Sequence, residues 1–249
     1  MLAALSLTIA ACSATGSVPR QAVALRSAAV ADEPAKAHRS YSTRFPLTEN
    51  PISEGGKWLN GGVDGVDWTD VRTKRHMAFG TMPGDAYYPY NYADSTAVLA
   101  GRWGRTQSVR ATLAVPNPSN QYGVFEEVEL RVRTTIVAQS ITGYEINCSV
   151  NTRDPYAQVV RWNGPLASFT ELDGAGIGCS DGDVLKATVS GRNVATITVY
   201  KNGEQILAVT DRSAPFITGS PGIGFFLQGA TGLDANYGFR EFHASASGN

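Results

Sequence analysis

Strong charge of one sign is missing: 21 Lys and Arg against 22 Asp and Glu leave a formal net charge of −1. No Lys/Arg cluster stands out, so a nucleic-acid partner is excluded. Cysteine, histidine and methionine number three each, and the cysteines and histidines have no zinc-binding spacing. No glycine motif is built to cradle phosphate. Against this scarcity, 26 glycines make a turn-rich, helix-poor profile that points to an all-β domain. With 43% hydrophobic residues in 249, the chain can bury one large core or two small ones.

The N-terminal MLAALSLTIAAC offers about ten apolar residues, half of the roughly 20 that a membrane span needs. It reads instead as a secretory signal, with Cys12 as the expected lipidation site. Its Ile9-Ala10-Ala11-Cys12 ending resembles the bacterial lipobox, and Ser13 after the cysteine implies an outer-membrane lipoprotein, or otherwise an exported protein. No Lys or Arg precedes the apolar run, which leaves a start upstream of Met1 open. The membrane is then a partner only through a lipid anchor. Residues 13–44, rich in Ala, Ser and Arg, read as a flexible tether. Export also bears on the two remaining cysteines, Cys148 and Cys179, which form an even pair suited to a disulfide. A buried free thiol at Cys148 is the alternative.

From Phe45 to Asn249 short strand-like runs alternate with turn residues. In FEEVELRVRTTIV, Val128, Leu130 and Val132 alternate with Glu127, Glu129, Arg131 and Arg133, the period of a half-buried strand with a solvated charged face. Asn202-Gly203 between strand-forming runs marks a hairpin. Ten or more strands without a convincing helix indicate one two-sheet antiparallel sandwich.

The succession GDVLKATVSGRNVATITVYKNGEQILAVTD, then GSPGIGFFLQG and a closing NYGFREFHAS, resembles the concanavalin A-like lectin/glucanase jelly roll of the laminin-G-like type. FPLTENPISEGGKWLNGG is similar to the opening strand region of such domains. The resemblance implies a jelly-roll fold and leaves activity open, because the fold hosts sugar-binding modules, hydrolases, lyases and adhesion domains. Glucanases of this kind carry an E-x-D-x-(x)-E strand, whose nucleophile and acid/base stand about 5–5.5 Å apart. Here Glu127-Val128-Glu129-Leu130-Arg131 places an arginine where the second catalytic carboxylate belongs. Glu129-Leu130-Arg131 echoes the R-x-E-L-R strand of alginate-lyase-type jelly rolls, but the companion Gln-x-His does not occur.

The expected function is therefore an envelope-anchored, non-catalytic carbohydrate-binding module for a polysaccharide or other glycan. A polysaccharide lyase or glycoside hydrolase is the alternative and a protein-adhesion domain the third. No catalytic constellation emerges; Glu145 and His76 are the catalytic candidates if the protein is an enzyme. The hairpin GYEINCSVNTRDPYAQVVRWNG supplies the expected ligand contacts. Tyr144, Ile146, Cys148 and Val150 should face the core, leaving Glu145 and Asn147 on the opposite face. The adjacent Val159 and Val160 leave open which of Gln158, Arg161 and Trp162 share that face, and a bulge near Val160 would let Arg161 and Trp162 serve different faces. Tyr88, Tyr90 and Tyr92 in DAYYPYNYADS form a second candidate surface, since rings stack on pyranose faces. No cofactor is expected. A structural calcium at Asp64 and Asp67 is the only metal considered, and neither that cluster nor Asp181 with Asp183 supplies six to eight oxygen ligands by itself.

Overall fold

A computed structural model describes residues 38–248. Cys12, the rest of the expected signal and the tether up to residue 37 lie outside them. The described chain is a two-sheet antiparallel jelly-roll sandwich. One sheet runs β13 (Glu204–Asp211), β12 (Ala195–Lys201), β11 (Val184–Ser190), β6 (Thr106–Ala114), β15 (Gly238–Ser247), β4 (Met77–Phe79) and β3 (Arg72–Lys74), with β1 (Arg39–Thr43) also paired to β15. The other runs β10 (Phe169–Ala175), β9 (Ala157–Gly164), β8 (Ser140–Ser149), β7 (Phe125–Val137), β14 (Ser220–Gln228), β5 (Ser95–Leu99) and β2 (Trp58–Asn60).

The sandwich starts earlier than the expected boundary at Phe45. β1 lies inside the segment read as tether, held to β15 by pairing from Arg39↔Ala246 to Thr43↔Phe242. RSYST has no apolar alternation to announce it, and its anchorage comes from side chains that meet distant loops. Tyr41 edges onto Trp58, and the Arg39 guanidinium lies 4.3 Å from the Trp103 ring centre while donating to the Ala100 and Arg102 carbonyls.

The core lies between the sheets. Val128, Leu130 and Val132 of β7, Tyr144, Ile146 and Cys148 of β8 and Val159 of β9 meet Val109, Leu113, Ile197, Phe239 and Phe242 from the facing sheet. The alternation of FEEVELRVRTTIV holds for the face it assigns to the core and fails for the other. Glu127, Glu129, Arg131 and Arg133 are all buried, so the solvated charged face is corrected to a covered one. Its cover comes from a second apolar cluster of Trp68, Val98, Ile136, Ile141, Val160 and Trp162, seated on the outer face of the seven-stranded sheet. Trp68, which closes the GVDGVDW loop, meets Trp162 edge to face at 5.7 Å.

Parity along β7 breaks once. The β7–β8 register shifts between Val132 and Thr135, and Arg133 takes φ 49° there. A bulge of this kind re-aims one side chain. The Arg133 guanidinium donates to three carbonyls, Arg105 O at 2.7 Å, Phe216 O at 2.7 Å and Gly191 O at 2.8 Å. One side chain thereby ties three separate loops to one end of the sandwich.

The two cysteines are bridged, with Cα atoms 5.9 Å apart and 31 residues of separation. Asn202-Gly203 turns β12 into β13 with φ 54° and 88°, the left-handed pair that an Asn-Gly hairpin turn requires.

Two stability measurements follow. Replacing both bridge cysteines by alanine should destabilise the domain by about 3.5 to 4 kcal/mol, the chain-entropy value for a loop of this length, seen as a lower guanidinium midpoint with a somewhat larger m-value because the unfolded chain is less compact. Arg133→Met should cost about 2 kcal/mol, because three partly buried carbonyls lose their shared donor, whereas Arg153→Met on the exposed β8–β9 turn should stay within about 0.5 kcal/mol.

Candidate functional site

The outer face of the seven-stranded sheet carries a hollow of about 340 Å³. Its floor follows from register. Glu129 of β7 stands beside Asn147 of β8, which stands beside Gln158 of β9. One step along, Arg131 stands beside Glu145 and Glu145 beside Val160. Alternation then puts Glu127, Glu145, Asn147, Gln158, Val160 and Trp162 on the side away from the core. The hollow's walls are aromatic: Tyr92 from the short turn before β5, Phe125 and Phe226 at the paired ends of β7 and β14, Tyr156 before β9, and Phe169 of β10. Tyr92 and Phe226 lie parallel to within 18° at 6.3 Å, and Phe169 contacts both Tyr92 at 5.3 Å and Trp162 at 5.5 Å.

Beneath the floor lies a charge cluster. Arg131 is fully enclosed and donates to Asp94 at 3.1 Å and to Glu129 at a shorter distance, while its second terminal nitrogen lies 2.8 Å from Glu145, too oblique for a hydrogen bond. The cation fits because Gly224 of β14 has no side chain: a Cβ there would stand 2.1 Å from Glu129 Oε2 and 3.0 Å from Arg131 Nε. Burial, reinforced by neighbouring carboxylates, holds Asp94 and Glu129 well above the usual carboxylate range. Glu127 is pushed up to about 8, first by burial and then by the charge of Glu145, and it accepts a short hydrogen bond from the Tyr156 hydroxyl. Glu145 accepts the Trp162 indole N–H at 2.5 Å. Asn147 donates to Glu145 and Gln158, both at 3.3 Å, and its own carbonyl oxygen has no partner.

Of the residues expected from the sequence, Glu145, Asn147, Gln158, Trp162 and Tyr92 converge on the hollow. The others lie elsewhere. No register shift interrupts β8–β9, so the bulge considered near Val160 is absent and Arg161 falls on the core side. There it reaches across to Asp211 of β13 at 2.9 Å and covers Phe216, beside the Tyr144 hydroxyl that donates to the same carboxylate. Tyr88 and Tyr90 are exposed and outside the lining, although Tyr88 meets Tyr92 edge to face. His76 is exposed in the β3–β4 turn, remote from the hollow. Asp64 and Asp67 do not converge: Asp64 accepts the Asn60 amide, and neither belongs to the one three-carboxylate group among the described residues, Asp94, Glu129 and Glu145. Arg131 already pairs with all three of that group, so the donor set is matched to an internal guanidinium and does not fit a calcium ion.

Sequence reasoning missed Asp94, Glu127, Tyr156, Phe169 and Phe226 as lining residues. Glu127 stood in a recognised strand motif; the aromatic residues are brought in by strands and turns distant in sequence.

A second hollow of about 660 Å³, bordered by Arg39, Arg102, Trp103, Arg105, Ile217 and Gly248, is larger. It lacks the convergence of buried polar groups that distinguishes the first.

No family model and no curated protein matches the chain. Among solved structures, the chain is similar to a carbohydrate binding module, CBM66, from Bacillus subtilis, at 11% identity and TM-score 0.47, over 71% of this chain and 95% of that one. It is similar to the Emp46p carbohydrate recognition domain in its metal-free form, at 11% identity and TM-score 0.49, over 83% and 94%. Porphyranase B from Zobellia galactanivorans is similar at 9% identity and TM-score 0.49, over 90% and 98%. Superpositions this loose assign no residue a role.

Proposed function

We propose that the protein is a carbohydrate-binding domain, held at the bacterial cell envelope by a lipidated Cys12, that takes a polysaccharide into the outer hollow of the seven-stranded sheet. The observation that carries the reading is the pairing of aromatic walls with planar polar groups around one cavity. A pyranose presents apolar C–H faces to rings and hydroxyls to carboxyl and amide groups, and the lining offers both. Tyr92 and Phe226 supply ring faces, while Asn147, Gln158 and Glu171 supply planar acceptors and donors. Binding without cleavage is the reading we favour, because Arg131 stands where a second catalytic carboxylate would be and pairs with Glu145.

One observation favours cleavage as a second reading. Glu127 is held protonated through neutral pH by burial and by the nearby Glu145, and a neutral carboxylic acid lining a cleft can serve as a general acid. Release of reducing ends, or of unsaturated uronates absorbing in the ultraviolet, from a polysaccharide panel separates the readings. If such turnover appears and is lost in Glu145→Gln, the non-catalytic proposal fails.

Three outcomes are expected. Tyr92→Ala and Gln158→Ala should each weaken oligosaccharide affinity at least tenfold in calorimetry, about 1.4 kcal/mol, while Tyr122→Ala outside the hollow leaves it unchanged. Labelled palmitate should enter the protein in a Gram-negative host and fail to enter Cys12→Ala. Stability should fall as pH rises. Glu127 titrates near 8 and Asp234 near 7 when folded, both raised chiefly by burial from ordinary values of 4.5 and 3.8. The folded state therefore retains protons that the unfolded chain has lost, and unfolding becomes easier between about pH 4 and 8. The melting midpoint should drop by several degrees from pH 5 to 8.5, and Glu127→Gln should flatten that fall.

A further inference from the structure

We propose that the saccharide taken by this hollow carries a protonated amine, so that the site selects amino-sugar units over neutral ones and rejects uronates and sulfated sugars. This rests on the carbohydrate reading of the same hollow. The first support is the sign of the lining. Four acids face the hollow and no Lys, Arg or His does: Asp94 and Glu127, which burial holds above the usual carboxylate range, and Glu145 and Glu171. The nearest cation, Arg131, is 0% exposed and paired with Glu129, Asp94 and Glu145. It offers nothing to a ligand carboxylate or sulfate, which would enter a cleft lined by acids and without a free cation to pair with it.

The second support is the unpartnered acceptor. Asn147 is 4% exposed, and its amide nitrogen is directed at Glu145 and Gln158. The Glu145 neighbour favours the nitrogen on that side, which leaves the Asn147 carbonyl oxygen as a buried acceptor without a donor. An ammonium group brings three donors and no acceptor, matching a floor composed largely of acceptors. The third support is the wall. Tyr92, Trp162, Phe169 and Phe226 form a run of rings in the order Trp162–Phe169–Tyr92–Phe226, the first two contacts tilted at 5.5 and 5.3 Å and the last near-parallel at 6.3 Å. Rings set around a carboxylate floor attract a cation through their π faces. A neutral hydroxyl uses the hydrogen-bonding groups but brings no charge for Glu145, Glu171 or the ring faces to attract.

The test holds the sugar backbone constant. Isothermal titration of the full chain at pH 5.5 would use three β-1,4-linked hexamers, of glucosamine, of N-acetylglucosamine and of glucose, together with hexagalacturonate and tetramethylammonium. The glucosamine hexamer should bind at least tenfold more tightly than the acetylated or plain hexamer, and hexagalacturonate should not bind. Raising salt from 0.05 to 0.5 M should erode only the glucosamine preference, and Glu171→Gln at the exposed rim should reduce it severalfold without altering the melting midpoint. Equal or tighter binding of a neutral hexamer, or any binding of hexagalacturonate, overturns the amine selectivity and leaves the carbohydrate reading standing. Binding of tetramethylammonium alone overturns the carbohydrate reading and keeps the cation preference; no binding by any of the five overturns both.

Discussion

The enclosed guanidinium of Arg131 is the constraint on which the seven-stranded sheet's outer face depends. Three carboxylates packed together without a cation would carry a desolvation cost that no sandwich of this size sustains as charged groups. With Arg131 among them, Asp94, Glu129 and Glu145 come from three different strands or their edges and are held within reach of one another. Gly224 keeps the space for this arrangement, and Trp68 with Trp162 excludes water from one side of it. The polar floor of the hollow is thus the upper surface of a buried ion cluster, and its geometry is set from below rather than by flexible surface side chains.

A floor supported in this way has a chemical character different from a surface patch. Glu145 cannot swing freely, since Trp162, Asn147 and Arg131 each hold one of its oxygens. Glu127 is stationed by Tyr156. Preorganised groups lose little entropy when a ligand arrives, which suits a site of only about 340 Å³.

Much of the architecture was legible in the sequence, because a strand with one face in the core writes its period directly into its residues. The parity of Tyr144 to Val150, the Asn202-Gly203 turn and the pairing of Cys148 with Cys179 all came from local rules and chemistry. What was not legible came from contacts that no local window contains. The Glu127–Arg133 face reads as solvated because charges are ordinarily exposed, and it is buried by segments distant in sequence: Trp68 of the GVDGVDW loop with Trp162, Tyr156 over Glu127, and the three loops that Arg133 joins. Val159 and Val160 looked like a bulge because adjacent apolar residues break alternation, yet both faces of β9 are covered, one by the core and the other by Trp68 and its neighbours. The side taken by Arg161 stays open in the sequence for the same reason, and the structure turns it to the core side, toward Asp211. β1 was read as tether because its partners, β15 and the loops around Trp58 and Trp103, lie far along the chain.

The pairing of β1 with β15 also decides how the domain can be attached to anything else. Arg39 sits opposite Ala246, and the amide of Arg105 holds the carbonyl of Gly248, so the chain enters and leaves the sandwich side by side, near Thr134 and Ser220. The aromatic-walled hollow begins at the other end of the same strands, where Phe125 pairs with Gln228. Arg39 and Gly248 thus lie together at one pole of the sandwich, and the hollow opens toward the other.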